Sequence, residues 1–131
     1  MVARPLERPF NVQEPAIAAR PGQDYNGAMT HHITKKQPNS HFCFACGLHN
    51  QFGLKARFYE TAGGELVGLF RPAQEHQGYP GRLHGGLIST ILDEVLARAI
   101  MIGGGTETWG VTAELNVRFK KPIPLDADCR V

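Results

Sequence analysis

The chain has little cysteine, almost no charge excess and no long uninterrupted apolar run, and each shortage removes a class of protein. Its three cysteines, Cys43, Cys46 and Cys129, form an odd set at no disulfide-framework spacing, which points to a reducing compartment and an expected cytoplasmic location. The longest mainly apolar stretch, Leu87 to Ile102, is broken by Asp93, Glu94 and Arg98 and is too short and polar to span a bilayer. No continuous apolar segment near the N-terminus offers a secretory leader, and Arg4, Arg8 and Arg20 alternate with Glu7, Glu14 and Asp24. A formal charge of +2, with scattered Lys and Arg, argues against nucleic acid or an anionic membrane as partner. A Gly-x-Ser-x-Gly nucleophile elbow is also missing, so an acyl transfer built on a Ser-His-Asp triad is not expected.

What is present suits one soluble domain: 131 residues, 42% hydrophobic and 20% charged, with 15 glycines and 9 prolines. Residues 1–40, rich in Pro, Gly, Gln and Asn, lack helical or strand periodicity and read as a loose arm; residues 41–131 read as the domain. Alternation from Phe52 to Glu60, a turn at Thr61-Ala62-Gly63-Gly64 and a second run from Glu65 to Arg71 predict a hairpin. A glycine- and proline-rich loop from Gly78 then delivers the chain to a helix expected from about Gly86 to Ile102. On that helix Leu87, Ile88, Ile91, Leu92, Val95, Leu96, Ala99 and Ile100 make a broad apolar face. The triplet Gly103-Gly104-Gly105 is expected to stop it. The cleanest period-two pattern follows, Val111, Ala113, Leu115, Val117 and Phe119 alternating with polar residues up to Pro122, and predicts a half-buried strand. The sum is a two-layer α+β domain with a mainly antiparallel sheet; no internal repeat is visible.

Two features carry chemistry. His84-Gly85-Gly86 stands where loop becomes helix, where exposed amides at the positive end of the helix dipole suit a developing oxyanion; the same glycines also serve a tight entry turn. Asp93 interrupts an apolar helix and needs either solvent or a partner, and Glu94 points roughly 100° away from it. Gly86 and Asp93 are seven residues apart, roughly 10 Å along one helix, which is too far for one carbonyl group to touch both. If both act, a second copy of the chain supplies one of them.

The run Gln77-Gly-Tyr-Pro-Gly-Arg-Leu-His-Gly-Gly-Leu-Ile-Ser-Thr-Ile-Leu-Asp-Glu94 resembles the signature of PaaI-like hot-dog thioesterases, in which a His-Gly-Gly loop precedes a carboxylate nine residues after the His. The run Val111 to Pro124 is similar to the strand after the central helix of that family. The resemblance, over residues 42–131, implies an antiparallel sheet wrapped around one helix, a homodimer or dimer of dimers, and hydrolysis of acyl-CoA without a cofactor. It implies that Gly85 or Gly86 polarises the thioester carbonyl and Asp93 is base or nucleophile. His84 belongs to the same loop, and Thr112 matches a hydroxyl that places water. Gly78, Arg82, Lys120 and Lys121 are the substrate-binding candidates, the basic ones for the CoA phosphates. A family chain continues through further strands after the point reached at Val131, so the fold is expected to be incomplete here, with open edges and part of the helix uncovered. A non-enzymatic acyl-CoA-binding protein and a hot-dog dehydratase are the alternative readings.

His41, Cys43, Cys46 and His49 sit at intervals that suggest a zinc cluster. Four ligands within nine residues are crowded, however, where closed zinc sites join two separated pairs. The expectation is therefore a structural turn and no essential metal. The stretch Cys43 to Leu54 also resembles the Cys-x-x-Cys-Gly opening of many hot-dog proteins, where it need not hold a metal.

Overall fold

The computed structural model describes residues 4–5, 32–103 and 107–131. One helix, α1 (Gly85–Ala99), packs against an antiparallel sheet. The sheet comprises β1 (Arg4–Pro5), β2 (Ile33–Lys36), β3 (Arg57–Thr61), β4 (Leu66–Phe70) and β5 (Cys129–Arg130), in the order β1-β5-β4-β3-β2. The expected hairpin is β3–β4, with Phe58 opposite Gly68 and Glu60 opposite Leu66. Gly68 is required by that register, because a Cβ there would lie 2.8 Å from both the Phe58 ring and Val131.

The alternation expected from Phe52 to Glu60 holds only in part: Phe52 is exposed, Tyr59 and Glu60 are both buried, and the strand begins at Arg57. Leu54, Ala56 and Phe58 are all buried, but at Leu54 and Ala56 the backbone donates to Phe44 and Ala45 carbonyls at 2.9 Å. The segment before β3 thus bonds to the turn containing the cysteines instead of to another strand. Ile91 and Val95 of α1, at 0% and 1% exposure, join Leu54, Ala56, Phe58, Phe70, Leu83 and Ile123 in one core cluster. Each of the Leu, Ile, Val and Phe side chains among them contributes about 1.5–3 kcal/mol by leaving water.

Three expectations are corrected. Ile33–Lys36, inside the stretch expected to be a loose arm, is strand β2, paired with β3 from Ile33↔Thr61 to Lys36↔Tyr59. Its sequence shows one apolar residue, because only Ile33 is buried, and pairing rather than side-chain burial holds it. Most of the remaining arm lies outside the described residues. The helix ends at Ala99, not Ile102: Met101 and Ile102 donate to Arg98 and Ala99 carbonyls at 3.1 and 3.2 Å, a tighter three-residue closure. Of the three glycines expected to end it, Gly104 and Gly105 lie outside the described residues. Finally, the period-two segment 111–119 forms no strand. A strand needs a neighbour for its N–H and C=O groups, and among the described residues none runs beside it; Val111 is 96% exposed and Phe119 57%. Leu96 of α1 and its C-cap Ile100 are exposed too, so part of the helix face is open, as the sequence led one to expect.

The far end of α1 is fixed by a buried cation. Arg98 donates from Nε to Glu94 Oε1 at 2.7 Å and from one terminal nitrogen to Gln37 Oε1 at 3.3 Å and the Pro38 carbonyl at 3.1 Å. Its guanidinium lies 4.5 Å over the Phe58 ring. Gln37 in turn donates to Glu60 Oε1 at 3.2 Å and to the Arg98 carbonyl at 3.3 Å. Replacement of Arg98 by Met is expected to cost about 3 kcal/mol, since Glu94 and Gln37 lose their partner while staying largely out of water. Urea unfolding measures this; a loss below about 1 kcal/mol would show that the network does not hold the helix.

Candidate functional site

The loop that presents α1 is built around His76, a residue without a role in the sequence reading. His76 is 3% exposed; its Nδ1 accepts the Ala73 N–H at 2.8 Å and its Nε2 lies 3.0 Å from the Phe52 carbonyl. An acceptor at Nδ1 leaves the proton on Nε2, which donates to Phe52. The His76 carbonyl then receives the His84 N–H at 2.9 Å, and Leu83 donates to Ile123 at 2.9 Å. Isolated bridges Gln77↔Leu83 and Arg82↔Pro124 close the loop. The sequence signal for His76 was only its place ahead of the glycine-rich loop, which any surface histidine shares.

His84 is the N-cap of α1. Its Nδ1 accepts the Gly86 N–H at 2.9 Å, while its carbonyl receives Leu87 and Ile88 N–H at 3.0 and 3.2 Å. Gly78 leaves the room this needs, since a Cβ there would come within 3.0 Å of His84 Cα. The two glycine amides are therefore not equivalent: Gly86 is engaged by the cap, and among the described residues no group accepts from Gly85. A side chain at Gly85 would stand 3.7 Å from the Phe119 ring, so that ring borders the free amide.

Asp93 is exposed on α1 and Glu94 half-buried, so the neighbouring carboxylates have separate environments. Thr112 is half-buried in the unpaired 107–120 segment. Between that segment and α1 lies a cavity of about 400 Å³ lined by Leu92, Leu96, Leu115, Val117, Arg118 and Lys120 among others. Lys120 thus borders a groove of mixed character, whose lining also includes Glu114 and Asn116, whereas Lys121 and Arg82 are exposed and outside its lining.

Of the four candidate ligands in the early Cys/His stretch, the structure separates the histidines from the thiols. His41 and His49 stack with ring centroids 4.9 Å apart, while Cys43 and Cys46 lie against Glu94. Burial pushes the Cys43 thiol up from its ordinary value, with the nearby Glu94 charge adding to the rise and backbone amides of Cys46 and Ala45 opposing it. Cys129, fully buried, is pushed up to about 12 by burial and then by Asp128, and is inert as a nucleophile.

His84→Ala should lower stability by about 1 kcal/mol through loss of the cap, and His84→Asn should restore most of it, because asparagine is also a strong N-cap. Equilibrium urea unfolding of the two variants checks this; equal losses in both would mean that the imidazole does more than cap.

Residues 80–131 match the family model described as thioesterase superfamily. Acyl-coenzyme A thioesterase THEM4 of Rattus norvegicus is 33% identical over 85% of this chain and 49% of its own length. Acyl-coenzyme A thioesterase THEM5 of Homo sapiens is 35% identical over 53% of this chain and 27% of its own. The chain thus spans at most about half the length of these relatives. A crystal structure described as a thioesterase superfamily protein superimposes with a TM-score of 0.59 at 30% identity, over 69% of this chain and 42% of that one. The helix-and-sheet architecture is that of the hot-dog fold, and over these spans the chain is similar to proteins of the thioesterase superfamily.

Proposed function

We propose that this chain provides the catalytic elements of a PaaI-like acyl-CoA thioesterase acting as a homo-oligomer in a reducing compartment such as the cytoplasm. The observation that carries the reading is the free Gly85 amide at the positive end of α1, on the same helix as the exposed carboxylate of Asp93. The amide polarises the thioester carbonyl and holds the oxyanion, a contribution of about 2.7–4 kcal/mol per donor. Asp93 takes a proton from water as the oxygen adds to the carbonyl carbon, and collapse of the tetrahedral adduct expels the CoA thiolate. Thr112 orients that water. Leu92, Leu96, Leu115 and Val117 of the groove beside α1 suit an acyl chain, and Arg118 and Lys120 on its wall, which also carries Glu114, suit the phosphates of CoA.

A second copy supports the geometry in two ways. Gly85 and Asp93 are separated along one helix by roughly 12 Å at 1.5 Å per residue, more than one reacting carbon spans, so the amide of one protomer serves with the carboxylate of the other. The exposed apolar residues Trp109, Val111 and Phe119, and the unpaired backbone around them, offer the surface for that partner.

Asp93→Asn is expected to leave the fold intact and to reduce hydrolysis across a panel of acyl-CoAs about 100-fold or more. Near-normal turnover in the folded variant would remove Asp93 from the mechanism; failure of the unaltered protein to cleave any thioester would leave binding without hydrolysis as its activity. Mixed dimers of Asp93→Asn with Gly85→Pro, which has no amide hydrogen, should regain activity at one of two sites. Confirmed heterodimers without recovery would overturn the shared site.

A further inference from the structure

The turn carrying Cys43 and Cys46 is clamped on all sides. Gly47 donates to the Cys43 carbonyl at 2.8 Å, and a Cβ at Gly47 would sit 2.5 Å from that oxygen, so only glycine closes the turn. Ser40 Oγ accepts the Cys43 N–H at 3.1 Å and lies 3.5 Å from Cys46 Sγ. Asn39 donates to the Cys46 and Ala56 carbonyls at 2.7 and 2.8 Å. Beneath the turn, Glu94 gives Oε1 to Arg98 at 2.7 Å and keeps Oε2 toward Cys43 Sγ at 3.6 Å. The two sulfurs and a Glu94 oxygen all lie within 4.8 Å of one another.

We propose that Cys43, Cys46 and Glu94 form a binding site for one divalent zinc ion, which ties the cysteine turn to α1. Two thiolates at Cys-x-x-Cys spacing make a soft donor pair that selects zinc over magnesium or calcium, and a carboxylate is a usual third ligand. Zinc–sulfur bonds of about 2.3 Å at a tetrahedral angle put the sulfurs about 3.8 Å apart, so from within 4.8 Å of one another the sulfurs need to close by at most about 1 Å. Binding releases two thiol protons; two thiolates, one carboxylate and Zn²⁺ leave one negative charge, which the Arg98 guanidinium offsets. Arg98 also fixes the carboxylate, as outer groups around metal ligands do. The fourth position is left to water. The ligand that the sequence lacked is the helix carboxylate: the third donor lies fifty-one residues beyond Cys43, and neither His41 nor His49 is part of the set.

The test uses the whole chain, reduced and stripped of metal with a chelator, titrated with Zn²⁺ against a chromophoric competitor and separately with Co²⁺. One ion per chain is expected, with protection of two of the three thiols from alkylation and an intense thiolate-to-cobalt charge-transfer band. The Cys43→Ser/Cys46→Ser protein should lose all of these, and Glu94→Gln should weaken affinity by at least about tenfold. Zinc bound no better by the native chain than by the double variant overturns the proposal. Should the double variant fail to fold, absence of the charge-transfer band in the native chain overturns it alone. Unchanged affinity in folded Glu94→Gln overturns the three-ligand site. None of these readouts depends on thioesterase activity.

Discussion

The buried guanidinium of Arg98 is the constraint on which most of the architecture rests. A cation that is 8% exposed survives only if its donors are satisfied, and it finds them on Glu94 one turn back, on Gln37 and on Pro38. Those partners come from α1 itself and from the passage leaving β2, while Phe58 of β3 lies under its flat face. Helix, edge strand and hairpin are thereby held to one another. Because consecutive helical residues differ by about 100°, the turn of α1 that brings Arg98 and Glu94 inward also sends Asp93 outward. One polar contact in the interior decides which of two adjacent carboxylates faces solvent.

The opposite end of the helix is held differently. There the burden falls on the buried side chain of His76 and on backbone bonds from Leu83 and His84. A loop with little side chain of its own needs such external support, and among the described residues no group accepts from the Gly85 amide. Rigid support at both ends of one helix places an open donor at its positive pole and an open carboxylate two turns along. This suits chemistry that requires fixed dipoles rather than a reactive nucleophile.

Legibility of the sequence varied with the range of the interaction. The hairpin, the helix and its entry were readable because turns, periodicity and capping act over a few residues. Strand β2 was not, since Ile33-Thr34-Lys35-Lys36 shows one buried side chain and its order comes from pairing with β3. The period-two pattern of 111–119 records a preference for an extended, half-covered segment, and among the described residues no strand runs beside it.

By itself, the sequence determined the α+β class, the position of the helix, the turn between β3 and β4 and the candidacy of His84, Gly85, Gly86 and Asp93, all of which follow from local backbone preference and residue spacing. Tertiary structure alone decided that the Gly86 amide is consumed by the His84 cap while no described residue accepts from Gly85, that His76 braces the loop, and that Cys43 and Cys46 meet Glu94 rather than His41 or His49. These depend on which distant surfaces pack together. Burial of Arg98 settles the last of them, because the carboxylate that neutralises it is held directly beneath the cysteine turn.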